Sequence, residues 1–319
     1  MKKNARPAAP LLFLPLVAAL AACGGGGGGG GGTTQVRPTP PDESVVTTPP
    51  PPADVTTISG PTVSESITYR FNTSDQKFTE ISAASTPSLG GVSTVGYTDA
   101  GTIVKLTLDP GSGPLEFTRF GPSGVSPLLT LAENDTHVAL VPSGAALQAL
   151  GWNYQSFGVW EPGVETGTGT SGVVSFGRDL TAVGDIPTQG SATYKGILGG
   201  QYVNTEGVDH VLYADLQATA DFAARTISLS TTKTLILNER NLASGDYQDV
   251  SGTLALDGEL TIARDANDFS GEVRTANGLR GSSQGRFYGP DAAELGGVGA
   301  VQAASGVESI QFAYGAKKQ

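Results

Sequence analysis

Three groups of side chains in this chain have types and spacings that could do chemistry. The first is Cys23, the sole cysteine among 319 residues. It follows Leu20-Ala21-Ala22, so small residues precede a lone thiol. A thiolate is the strongest nucleophile a protein offers, and it can attack a lipid donor. The second group is the only two histidines, His137 and His210, each beside a carboxylate, Asp135 and Asp209. A histidine with a carboxylate can serve as a general base or a metal ligand. A nucleophilic triad would also need a placed serine, and no Gly-x-Ser-x-Gly elbow is present. Two histidines alone do not make a metal centre, so a turn or surface role is expected for both, with haem ligation by a histidine or tyrosine left open. The third group is Trp152 and Trp160, expected to share one face of a strand and to pack in a core.

Cys23 is read with what precedes it. Lys2, Lys3 and Arg6 form a positive segment, and Leu11 to Leu20 an apolar one. The apolar run is shorter than the ~20 residues that span a bilayer. Residues 1–22 therefore read as a lipoprotein signal peptide, removed when Cys23 is diacylated on sulfur and N-acylated. Each buried acyl methylene contributes roughly 0.8 kcal/mol, so two or three chains anchor firmly. Gly24 in place of Asp after the cysteine favours the outer membrane. The expected address is the outer membrane, lipid-anchored, with the cell surface as a possible face.

Residues 23–57 read as a tether. Gly24 to Gly32 is unbroken glycine, a flexible coil, and Pro38 to Pro52 is proline-rich and stiffer. With no cysteine besides Cys23, the exported fold must stand on its core without an intrachain disulfide. The formal charge of −11 becomes more negative once Lys2, Lys3 and Arg6 are lost. Such a surface repels nucleic acid, and no basic and aromatic patch argues otherwise.

Forty-five glycines, twenty prolines and one methionine suit strands and turns better than helices. Residues 58–184 read as an irregular β region. Ile67, Tyr69 and Phe71 alternate on one face. Thr102 to Leu108 reads as a strand with Ile103 out of phase, and Asp99-Ala-Gly101 before it as a hairpin turn. Ser143 to Leu150, between Pro142 and Gly151, is the best helix candidate.

Residues 185–319 are more regular. Eight strands are expected, starting near Ala192, Val211, Arg225, Gly252, Phe269, Ser283, Gly296 and Ser309. Gly252 to Ile262 alternates most cleanly. Eight short strands fit a small antiparallel barrel whose interior side chains can fill. Gly196, Ala214, Ala218, Gly258, Gly271 and Ala300 are the small inward candidates. The fold class is thus all-β: an irregular region, then an eight-stranded barrel.

Three stretches carry a resemblance. They are Tyr154-Gln-Ser-Phe-Gly-Val-Trp160, Ile186 to Gly196, and Phe287-Tyr-Gly-Pro290 with Glu294-Leu-Gly-Gly297. In this order they resemble the transferrin-binding protein B family of bacterial surface lipoproteins. The resemblance implies one lobe, with a "handle" at 58–184 packed on the barrel at 185–319. It implies a non-enzymatic binding protein for a host or haem- or iron-carrying protein, using handle and barrel loops. A TonB-dependent transporter or a surface lipoprotein translocator would be a further partner. The shared residues are framework, so no binding residue is carried across. Two other readings stay open: a structural or assembly lipoprotein, and a carrier of haem or another small ligand in the barrel mouth.

Overall fold

Alternation of apolar and polar side chains builds two sheets from this chain. The computed structural model describes residues 55–163, 167–238 and 246–319. The stretches read as signal peptide and tether, up to residue 54 and including Cys23, lie outside the described residues.

The handle strands are β1 (Val55–Asn72), β2 (Lys77–Ile81), β3 (Ser88–Thr98), β4 (Ile103–Leu108), β5 (Leu115–Phe117), β6 (Arg119–Pro122), β7 (Leu129–Glu133), β8 (His137–Pro142), β9 (Gln155–Pro162) and β10 (Gly167–Gly177). β1 begins within the stretch read as tether. The sheet order is β5-β4-β3-β1-β10-β9-β8-β7-β6, with β2 beside β1. Its two edges, β5 and β6, are separated in sequence only by Thr118. The sheet therefore curls until it nearly closes. Its concave face buries Ile58, Val95, Leu108, Trp160 and Phe176. Ile103 joins that face because a bulge between Gly96 and Tyr97 restores its phase.

Helix α1 (Gly144–Leu150) sits where its caps put it. The Ser143 hydroxyl accepts from Ala146 N–H, and Gly151 ends the helix in the left-handed region at φ 65°.

The barrel strands are β11 (Ser191–Val203), β12 (Asp209–Asp221), β13 (Thr226–Asn238), the short β14 (Gln248–Asp249), β15 (Leu256–Ile262), β16 (Phe269–Thr275), β17 (Arg280–Tyr288), β18 (Glu294–Gln302) and β19 (Ser309–Lys318). Pairing of β12 with both β11 and β13, and of β11 with β19, closes eight antiparallel strands, with β14 an adjunct to β13. The interior holds Tyr194, Phe269, Phe287, Phe312 and Tyr314, all essentially inaccessible. Phe269 and Phe287 meet edge to face at 5.2 Å. Glycine makes room for these rings. A Cβ on Gly285 would lie 2.6 Å from the Phe269 ring.

Two expectations are corrected. Gly252 does not open a strand: Ser251–Leu254 is one helical turn, α2. Thr253 and Leu254 donate to Val250 O, and Leu256 N–H goes to the Thr231 hydroxyl. Leu254 is buried in the barrel core by this turn, so the apolar pattern is the same as a strand's. Ala300 faces out of the barrel. Its neighbour Val301 is the one in the barrel core, and alternation sends Ala300 the other way.

Candidate functional site

The handle lies on the outside of the barrel, and the two units make one surface. On β1 the odd residues Val63 to Phe71 face the barrel. On β19 and β18 the residues facing the handle include Gln311, Ala313 and Val298. Val63, Phe157 and Val173 of the handle share a core with Ile197, Val298 and Ala313. Glycine lets the sheets approach: a Cβ on Gly199 would lie 3.1 Å from the Phe157 ring.

One end of this joint is a lock made by the corner Phe287-Tyr-Gly-Pro290 and Glu294. A 3-10 turn, Pro290–Ala292, links β17 to β18. The buried Glu294 carboxylate accepts three backbone N–H groups at the start of β9: Asn153 (2.7 Å), Tyr154 (3.0 Å) and Gln155 (3.1 Å). These are the donors a strand end leaves without a ladder partner. Burial pushes this carboxyl above its ordinary range, and the three N–H donors oppose that shift. Gly289, at φ 73°, packs under the Tyr154 ring, where a Cβ would come within 2.6 Å. Gly177 is closed in by Tyr154 O and the Tyr288 ring. Asn267 holds the corner from the other side, donating to Thr181 O and Phe287 O and accepting from Phe287 N–H.

The other end of the joint is a rim of loops. The β1–β2 turn (residues 73–76) reaches the β11–β12 hairpin (residues 204–208). Phe78 N–H donates to Gly207 O at 2.8 Å. Tyr69, Phe71 and Phe78 bury against Val203, with Val307 of the β18–β19 hairpin packed alongside. Gln302 donates to Ser82 O at 2.6 Å. Glu308 accepts from Tyr202 OH and Asn277 Nδ2, both at 2.9 Å, which brings in the β16–β17 hairpin. Asp75 and Glu206 stand exposed on this rim, and Lys77 lies 3.8 Å from Glu206. Asp75 and Glu206 give the edge formed by the β1–β2 turn and the β11–β12 hairpin an acidic side, which suits a basic face on a partner.

The histidines are not brought together. His137 is on handle strand β8, its Nδ1 within 2.8 Å of the Thr136 hydroxyl and its ring 5.9 Å from Trp160. Burial lowers its pKa. Its neighbour Asp135 pairs instead with Arg119 at 3.0 Å. His210 is on barrel strand β12 near the rim, its Nδ1 3.1 Å from Val208 O and its ring 5.7 Å from Tyr202. Asp209 beside it is buried. Among the described residues, no group of three or more His, Cys, Asp or Glu side chains is placed to hold a metal ion. The tryptophans are both buried, but not on one face. Trp152 precedes β9 and joins the handle–barrel core, whereas Trp160 points into the handle. β9 begins only at Gln155, so the spacing of eight does not run along a single strand.

Glu65 was not singled out by the sequence reading. It is 3% exposed, on the barrel-facing side of β1, opposite Val173. Burial pushes its carboxyl up to about 8. The signal was present: extending the alternation Ile67, Tyr69, Phe71 backwards puts Glu65 on the apolar face.

A sheet folded against the outside of a filled eight-stranded barrel, with loops of both gathered on one rim, defines a handle-and-barrel lobe. Residues 186–318 match the family described as the C-lobe and N-lobe beta barrels of Tf-binding protein B. The barrel, residues 186–318, is thus of the transferrin-binding protein B barrel type. No curated protein sequence matches the chain. Among solved structures it is similar to a single-residue mutant of transferrin-binding protein B from Haemophilus parasuis Hp5, at 18% identity and TM-score 0.47, covering 81% of this chain and 45% of that one. It is also similar to isotype 1 transferrin-binding protein B from serogroup B Neisseria meningitidis, at 17% identity and TM-score 0.44, covering 81% and 43%. The haemoglobin receptor HpuA from Kingella denitrificans aligns at 12% identity and TM-score 0.39, covering 84% and 87%. The chain thus spans less than half the length of these two transferrin-binding proteins.

Proposed function

We propose that this chain is a non-enzymatic, lipid-anchored binding protein of the outer membrane that captures an iron- or haem-carrying host protein on its rim. The observation that carries this reading is the joining of handle and barrel hairpins into one braced, acidic surface. A rigid composite surface limits the ordering cost of binding a large partner. The filled barrel counts against a small-ligand carrier, because Phe269, Phe287, Phe312 and Tyr314 occupy the space a ligand would need. Acylated Cys23 and the Gly- and Pro-rich tether would hold the unit off the bilayer and give it reach. A transporter or lipoprotein translocator remains part of the proposal.

The test is a binding titration of the full-length protein against haemoglobin, transferrin and free haem, read by surface plasmon resonance and haem absorbance. The reading expects saturable binding to at least one of the two proteins and no spectral change with free haem. Binding of haem alone would favour the carrier, and binding of none would favour a structural lipoprotein. Replacing Cys23 by Ser is expected to abolish incorporation of labelled palmitate and release the protein from the membrane fraction.

A further inference from the structure

The joint between handle and barrel is not uniformly satisfied. Between the apolar layer around Val63 and Val173 and the rim cluster around Phe71 lies a polar layer. Ser171 donates to Gln311 Oε1 at 3.0 Å across the two units. Gln311 Nε2 and Glu65 Oε2 are both buried in this layer, without a hydrogen-bond partner among the described residues. Register places them near each other. Glu65 stands opposite Val173, and Ile67, the next residue on its face, stands opposite Ser171.

Among the described residues, no cation stands beside Glu65 on the elements packed on it; Lys77 of β2 pairs with Asn72, at the far end of β1. β10 has no titratable residue. On β3 the only one is Tyr97, which points into the handle core. β18 has only Glu294, engaged at its far end by the N–H groups of 153–155. β19 has Tyr314 inside the barrel and Lys317 and Lys318 at its end. Lys317 is six residues from Gln311, roughly 20 Å along the strand. It donates to Gly151 O. Glu161 on β9 faces the same way two strands over, roughly 10 Å off. It is a second carboxyl, bonded to Gln201. Arg70 points to the opposite side of β1 and pairs with Glu80.

We propose that Glu65 makes this joint proton-gated: the handle seats fully on β18 and β19 only while the Glu65 carboxyl carries its proton, and loss of that proton to solvent loosens β1 and β10 from them. A buried anion with no counter-charge is the costliest occupant of such a layer, and the neutral acid can donate a hydrogen bond within it. The upward displacement of this group by burial agrees in direction. With a folded-state pKa above the unfolded one, the seated form is favoured at low pH and loses that advantage as pH rises toward the folded-state value.

The experiment is hydrogen exchange by mass spectrometry on the full chain, corrected for intrinsic rates, from about pH 6 to about pH 9. In the wild type, peptides covering residues 62–71 and 167–177 should lose protection by about tenfold or more, while 309–318, held in the barrel by β11 and β18, and 256–288 keep theirs. Glu65→Gln, permanently neutral, should keep the joint protected throughout. Equal pH responses in wild type and variant, or loss of protection everywhere at once, would overturn the proposal. A 13C NMR titration of the Glu65 carboxyl in the wild type decides independently of whether the variant folds. A midpoint well above that of an ordinary glutamate is expected, and an ordinary midpoint contradicts it.

Discussion

The backbone N–H of Asn153 donates to Glu294 Oε1 at 2.7 Å, joining residues 141 apart in sequence. This bond, with its neighbours from Tyr154 and Gln155, fixes where the handle leaves the barrel. Replacing Glu294 by Ala would leave the buried Gln155 N–H and the part-buried N–H groups of Asn153 and Tyr154 without their acceptor, a buried one being worth about 1–3 kcal/mol. The expected loss of unfolding free energy is about 2–4 kcal/mol by urea denaturation. Protection against exchange should fall first at 153–160. A loss below about 0.5 kcal/mol would show that water replaces the carboxylate there.

Gly177 tests the closeness of the same joint. A Cβ there would lie 2.3 Å from Tyr154 O, a backbone atom that cannot swing away. Gly177→Ala should therefore destabilise by about 1–3 kcal/mol, measured by thermal or denaturant unfolding. Gly278, at φ 99° with open space around it, is the contrasting position. Substitution there strains the backbone but meets no atom.

Phe287 reports on the barrel core. It is inaccessible and stacks near Phe269, Tyr194 and Phe222. Phe287→Ala should cost about 3–5 kcal/mol, since a ring-sized hole among rigid strands collapses poorly.

Stability should also depend on pH through Glu65. Its carboxyl is displaced from 4.5 to about 8 in the folded protein. The folded chain then holds a proton that the unfolded chain releases across that window. Unfolding free energy should fall as pH rises from about 4.5 to about 8, by at most roughly 1.4 kcal/mol per unit from this group. Glu65→Gln should flatten that slope. Denaturant titrations at several pH values measure it, and an unchanged slope in the variant would remove Glu65 as its source.

Much of this architecture was legible because it rests on local rules. Ser143 and Gly151 mark the ends of α1 through cap chemistry that needs no tertiary partner. The eight barrel strands follow from period-2 alternation between Asn-, Asp- and Gly-containing turns. Gly252 misled because Leu254 and Leu256 are buried whether the chain runs straight or turns over the barrel mouth. Ala300 misled because small residues occur on both faces where a second sheet presses on a barrel. The candidate site was less legible. Its rim exists only through contacts such as Phe78 with Gly207, more than a hundred residues apart. Glu294 could be read as the end of a polar link, but its three N–H partners belong to a strand seen only in space.

The proposed working surface is the rim built jointly by handle and barrel. Asp75 and Glu206 lie on it, one from each unit, both exposed and removed from any core. The decisive measurement is the affinity of the full-length double variant Asp75→Arg, Glu206→Arg for whichever of haemoglobin or transferrin the wild type binds. Binding should be at least about tenfold weaker, with unfolding free energy within about 0.5 kcal/mol of wild type. Unchanged affinity in a folded variant would contradict this assignment.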